Sequence, residues 1–440
     1  MLGWFSPSCP LGTREKTWVE RRMAWLAGRF GIERLRKARI LLPTEEFFPD
    51  RYDADEASAQ VYFDRMCGYM GVDPSTVELI VVADDDMPGA AGLYQMHERS
   101  EIYVARSQLT APMELLSTYA HELAHELLLK GGHLTADESD HEFVTDILPV
   151  FLGAGIFLAN ATVKSKAWSE GTMHLFSISK QGYLSSITQG YALALFAFMR
   201  GEIRPSWQSH LRADAAGPLK SGLRYLSKTG DTLFHPDTIQ SSQQSSPSEL
   251  AERLAHRSPT FRLAALWDIA EMSDPPVDLL PGVERCLKDR DADVRVGALE
   301  SLSAFGSAAT SLVPELAERS FAGTPAERAT AIRTLGEIKG RPEIAVPALA
   351  NALHDEYEEA VAAAAYALAK FGPDAEAAEP HLLRAVQREA AVSNVPQVEA
   401  LAVALRAVCT DLPTLLRMTF AGKDPEGLRL VLSVVRDQKA

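Results

Sequence analysis

From the N-terminus to Phe234 the apolar positions change period several times. Residues 77–83 (VELIVVA) and 101–106 (EIYVAR) are short β-branched and aromatic runs bounded by Asp, Gly and Ser, a pattern that predicts strands. A shorter run at 39–42 ends at Pro43 and reads as a further strand, and 92–95 as a fourth, short one. Between 39–42 and Val77, residues 54–70 space their apolar side chains at helical intervals and stop at Gly71. After the 101–106 strand a second helix is predicted, with Thr110 as N-cap, Pro112 in the first turn and Gly131-Gly132 as its close. Strand, helix, strand, short strand, strand, helix is the order of an α+β domain over residues 1–234.

The texture then changes. Residues 235–248 (HPDTIQSSQQSSPS) have no apolar face and read as a linker. From residue 249 to 440 the chain is rich in Ala and Leu, with almost no strand signals, and it repeats. Ala265, Ala298, Ala331 and Ala364 recur at one fixed interval, the step from 265 to 298. The same step separates Leu266, Leu299, Ile332 and Ala365; Ile269, Leu302, Leu335 and Leu368; and Met272, Phe305, Ile338 and Phe371. A fifth copy at Ala400, Leu401, Ala404 and Ala407 has slipped by three. Such a period predicts an all-α solenoid whose stacked helix pairs bury a stripe that no single repeat can bury. The string DxDVRxxALxxLxxFG at 291–306, with Arg262, Arg295 and Arg328 three before the repeating Ala, resembles HEAT repeats. The TPLHxA signature of ankyrin repeats, which share the period, is absent.

Length and composition agree with two or three domains: 440 residues, 46% hydrophobic and 23% charged. A net charge of −15 opposes general binding to nucleic acid. Cys9, Cys67, Cys286 and Cys409 form no CxxC pair, which points to a reducing compartment. The first residues carry no signal-peptide pattern, and the longest apolar run, 147–159, has Pro149 inside it and is too short for a membrane span. The expectation is a cytoplasmic protein without a membrane partner.

The chemistry is concentrated at residues 118–146, TYAHELAHELLLKGGHLTADESDHEFVTD. His121 and His125 are four apart, so a helix projects both from one face where each can offer a ring nitrogen to Zn²⁺, with Glu122 beside them as general base. A third ligand is needed. Glu142 follows a Thr135-x-x-Glu138 capping box, and Asp146 lies one turn further along the same face. His141 competes with Glu142, because adjacent helix positions point about 100° apart and only one of them can face the metal. Asp137, Glu138 and Asp140 read as a solvated helix start, and Asp84, Asp85 and Asp86 as a solvated turn. Cys67 reads as a small core residue.

HELAH followed by EFVTD resembles the gluzincin metallopeptidases, in which HExxH is joined by a downstream ExxxD. The resemblance covers roughly residues 39–159 and implies a zincin-like fold. It also implies that Glu142 is the third zinc ligand and that Asp146 accepts a hydrogen bond from His121. The spacer between His125 and Glu142 is short for that family. Related enzymes place a Tyr or His downstream to stabilise the oxyanion, which singles out Tyr183, Tyr191 and His174.

The expected protein is therefore an α+β zincin-like domain followed by a HEAT-like solenoid. Its expected activity is zinc-dependent hydrolysis of peptide bonds, the strand at 101–106 offering an edge to an extended substrate and the solenoid recruiting a protein substrate or partner. Two alternatives remain: a protein-binding scaffold whose zincin-like domain is not catalytic, and a zinc hydrolase of a non-peptide amide or ester.

Overall fold

The computed structural model describes residues 7–87, 90–161, 184–235, 245–421 and 424–437, and the chain divides into two units, Met1–Gln244 and Ser245–Ala440. In the first unit, Trp18, Val19, Met23, Leu26 and Ala27 make one buried stripe on helix α1 (Thr13–Phe30), which stops at Gly31 with φ 83°. Helix α2 (Ile32–Lys37) follows directly. Helix α3 (Glu56–Met70) is opened by a capping box between Asp55 and Ser58 and closed by Gly71 in the left-handed region. Its buried face, from Ala59 through Phe63 and Met66 to Met70, packs against the helix that carries HELAH.

Three strands follow: β1 (Val77–Val82), β2 (Gly92–Gln95) and β3 (Ser100–Ala105). Their order is β1-β3-β2, with β1 parallel and β2 antiparallel to β3. This corrects the expected edge strand. The run read at 101–106 is the centre of the sheet, paired on both sides, and β1 and β2 each have β3 as their one strand partner among the described residues. Residues 39–42 are not a strand; the Leu41 N–H donates a backbone hydrogen bond to the Gly153 carbonyl, and among the described residues no strand pairs with this run.

Helix α4 (Pro112–His125) begins at Pro112 with Ala111 at the cap position. Thr110 is not the cap, because its hydroxyl donates back to the Ser107 carbonyl within a short 3-10 turn. Past His125 the helix widens into a π-turn at Glu126–Lys130 and ends at Gly131. Helices α5 (His141–Leu152), α6 (Gly155–Ala161), α7 (Ser186–Met199) and α8 (Ala213–Thr229) complete the unit. The apolar run at 147–159 is the buried end of α5 and most of α6.

The second unit is helical throughout: α9 (Pro247–Leu254), α10 (Pro259–Ala270), α11 (Leu280–Cys286), α12 (Ala292–Phe305), α13 (Val313–Ala322) and α14 (Pro325–Ile338). It continues through α15 (Pro342–Ala352), α16 (Glu358–Phe371), α17 (Glu379–Ala391), α18 (Val395–Val408), α19 (Leu412–Thr419) and α20 (Pro425–Asp437). Residues 236–244 of the expected linker lie outside the described residues. Its end at 248 is corrected: Ser246 and Glu249 form a capping box, so the first helix already begins at Pro247.

The period of the sequence is the step between helix starts at Pro259, Ala292, Pro325 and Glu358. Those helices and α18 pack on one another as one layer, and α11, α13, α15 and α17 back them. The repeating Ala, Leu or Ile, and Leu positions are all fully buried. The slipped copy has a cause in length: α17 has 13 residues where α13 has 10 and α15 has 11.

The repeating arginines bind successive repeats together. Arg262 clamps Asp289 with two hydrogen bonds of 2.7 and 2.9 Å, Arg295 pairs with Glu327 at 2.5 Å, and Arg328 clamps Asp355 with two of 2.7 Å. Each also donates to a carbonyl just ahead of its own helix. Both partners of the Arg328 clamp are largely buried. Arg328→Met should therefore lower the stability of the repeats by about 1–3 kcal/mol. A urea titration of the full chain followed by circular dichroism reads this as an earlier repeat transition, and an unmoved midpoint would show that the ladder adds nothing.

Candidate metal centre

His121, Glu122 and His125 lie on α4, which α3, α5 and α6 enclose, and all three are buried. The facing helix α5 brings Glu142 in its first turn and Asp146 one turn later. One Glu142 oxygen, Oε2, stands 3.2 Å from His121 Nε2 and 3.4 Å from His125 Nε2. Among the described residues, His121, His125 and Glu142 are the group whose donor atoms, all within 4.8 Å of one another, can hold a metal ion.

The donor set fits zinc. Four-coordinate zinc with bonds of about 2.0–2.1 Å needs ligand atoms roughly 3.3–3.4 Å apart, close to the 3.2 and 3.4 Å that separate the Glu142 oxygen from the two imidazoles. The outer nitrogens are turned away from that point. His121 Nδ1 donates to Asp146 Oδ1 at 2.9 Å, because a carboxylate can only accept. The other Asp146 oxygen accepts the Leu184 N–H at 2.6 Å, so the carboxylate is held at both ends. His125 Nδ1 faces Thr145 Oγ1 at 3.4 Å, and that hydroxyl donates to the His141 carbonyl at 2.9 Å. Both Nε2 atoms thereby point at the Glu142 oxygen, on the side where each could serve a metal.

The choice between Glu142 and His141 is one of placement. His141 Nδ1 is occupied by the Glu138 carbonyl at 2.8 Å, and its Nε2 leans on the outer Glu142 oxygen at 3.1 Å. It buttresses Glu142 and is not one of the three converging donors.

The charges are strongly perturbed. Burial disfavours the charged form of His121, but the Asp146 and Glu142 carboxylates outweigh it and hold the imidazole well above its ordinary range. Burial also works against the Glu142 carboxylate, yet the hydrogen bonds and charge of the two histidines hold it well below the usual range. Burial lowers His125 and raises Asp146. Glu122 is pushed up to about 7, mainly by burial, with His121 pulling down and Glu142 and Asp146 adding to the rise. A carboxyl poised near neutrality is suited to taking and returning a proton.

Strand β2 lies against this helix, and its Gly92 makes the approach possible. A Cβ at Gly92 would collide with Glu122 Oε1 and with the Thr118 methyl. Two residues on, the Tyr94 ring stacks on His125 with centroids 5.8 Å apart, and its hydroxyl donates to Glu126 at 2.7 Å. Gly92 and Tyr94 carry no sequence signal for these roles, since a sheet places them. Glu126 follows HELAH directly, but no local pattern marks it.

Other expectations resolve differently. Thr135 and Glu138 form half of a box, the Thr135 N–H donating to Glu138 Oε1 at 3.1 Å, but they sit in a turn and α5 starts only at His141. Asp140 is only partly exposed, and Trp18 and Arg22 of α1 both donate to it. Tyr191 is not at the site; it is fully buried and donates to Glu20 at 2.6 Å. Tyr183 and His174 lie outside the described residues. Asp84, Asp85 and Asp86 form an exposed turn, and Cys67 is buried.

Comparison with known proteins speaks to the second unit. A profile described as HEAT repeats matches residues 247–322 and 313–402. No curated protein matches the chain. Two crystal structures titled as engineered proteins are similar to it, each with a TM-score of 0.31. One is 19% identical and covers 44% of this chain and 97% of its own; the other is 13% identical and covers 96% and 99%. By the profile match, the C-terminal region contains HEAT repeats.

Proposed function

We propose that the first unit is a zinc-dependent hydrolase of peptide bonds, of the kind the gluzincin resemblance implies, acting in a reducing cytoplasmic setting. The HEAT repeats would recruit its protein substrate or a partner. The observation that carries this reading is the convergence of His121, His125 and Glu142 beside a buried Glu122 raised to about 7. Zinc held by the three donors would supply a water of lowered pKa and polarise a substrate carbonyl. Glu122 then accepts the water's proton at its carboxylate and returns it to the leaving amine. With zinc bound, Asp146, as acceptor from Nδ1, would keep His121 in the tautomer that leaves Nε2 to the metal. The outer edge of β2, next to Glu122, suits an extended peptide that adds a strand through backbone hydrogen bonds. The same chemistry serves a non-peptide amide or ester.

A second reading is favoured by the profile match, which bears on protein binding and not on hydrolysis. HEAT repeats commonly mediate protein interactions, and the chain would act as a scaffold whose first unit is not catalytic. Both readings include a protein partner on the repeats, and neither calls for nucleic acid or a membrane.

Zinc should raise the thermal midpoint of the chelator-stripped protein by several degrees at saturating concentration, and Glu142→Ala should remove most of that gain. No zinc-dependent shift in the wild type would sink the metal reading. Glu122→Gln should keep zinc and lose hydrolysis of a peptide library by a factor on the order of 10² or more, read by mass spectrometry. If a cellular phenotype survives Glu122→Gln but not removal of residues 245–440, the scaffold reading wins. Gly92→Ala should depress hydrolysis while leaving zinc content near that of the wild type, because it displaces the base and not the ligands; a fully active variant would contradict the placement of β2.

A further inference from the structure

The three donors are not held equally. His121 and His125 belong to an enclosed helix, whereas Glu142 is the second residue of α5 and its side chain is 41% exposed. A helix's first turn lacks upstream carbonyls for its N–H groups and frays unless something ties it. The chain leading into α5 is made of turns and coil, and the Asp140 side chain at the N-cap caps nothing in its own helix.

That carboxylate is instead held from outside. Arg22 grips it with two hydrogen bonds, Nε to Oδ2 at 2.8 Å and Nη2 to Oδ1 at 2.6 Å, and Trp18 Nε1 adds a third at 2.7 Å. The Trp18 ring also meets Phe143 edge-on, with centroids 5.8 Å apart. Helix α1 is a firm support for this grip. Val19, Met23 and Leu26 are fully buried, and Glu20 accepts hydrogen bonds from Tyr191 and from the Leu233 N–H.

We propose that Arg22 and Trp18 are positioning residues for the third metal donor: by clamping Asp140 they set where Glu142 stands against His121 and His125, and so set the affinity of the site for zinc. This rests on the metal reading above and extends it to α1, a helix that supplies none of the three donors. A planar guanidinium is needed because its fork meets both Asp140 oxygens, which an ammonium cannot do in the same geometry.

The test is zinc affinity of the full chain, by competition with a chromophoric chelator, beside the thermal midpoint of each metal-free variant. Arg22→Met should weaken zinc binding by about tenfold to a hundredfold, and Arg22→Lys by less. Trp18→Phe, which keeps the ring against Phe143 and loses the N–H, should weaken it measurably and carries the test if Arg22→Met fails to fold. Arg200→Met is the control for lost stability alone, since it removes hydrogen bonds to the Leu35, Arg36 and Ala38 carbonyls and none to α5. It should lower the midpoint and leave zinc affinity unchanged. Folded Arg22→Met with affinity within about twofold of the wild type, or an equal loss in Arg200→Met, overturns the proposal. A wild type that binds no zinc overturns the metal reading itself, a separate and recognisable result.

Discussion

Where α4 meets α5, three carboxylates and two imidazoles share one small space, and all of them except Glu142 are buried. Burying that much negative charge is costly unless positive charge stands among it. Asp146 and Glu142 hold the His121 imidazole well above its ordinary range, which favours its positive form among the carboxylates. A divalent cation at the two Nε2 atoms and the Glu142 oxygen would supply more of it, at the point where the donors converge. The surrounding structure is arranged around that need. Asp146 is pinned at both oxygens, β2 presses a side-chain-free residue over Glu122, and α1 holds the N-cap of α5.

The two units solve different physical problems. The first encloses one polar helix, α4, in an apolar shell, so that buried groups acquire unusual proton affinities. The second has no such site among its described residues. It stacks helix pairs whose repeating Ala, Leu and Ile positions are buried together, and three of its repeats add an arginine that ties the helix to the chain that follows. Repetition of this kind presents surface in proportion to length, which suits a partner-binding role.

Much was legible along the chain because it is local. The i,i+4 spacing places His121 and His125 on one helical face, and the period of the repeating alanines reappears as the step between helix starts. Strand positions at 77–83 and 92–95 were readable from composition within one residue. Caps were less so. Thr110 has the right chemistry, but its hydroxyl turns back to Ser107, and Ser246 caps a helix inside a stretch that reads as linker by composition.

What the amino-acid sequence determined by itself was the helical geometry of HELAH, the existence of the repeats and the buried stripe that defines them, because each depends on residues a turn or one period apart. Only the tertiary structure decided that the 101–106 strand is central and that β1 and β2 are the edges, since strand order is set by pairing between separate segments. It also decided that Glu142 faces the histidines while His141 turns outward, and that Tyr191 serves Glu20 in the core. The same holds for Asp140, a polar residue in a polar stretch, whose partners Trp18 and Arg22 lie 122 and 118 residues away. Contacts at such separations leave no local periodicity, so they become visible only when the helices are packed.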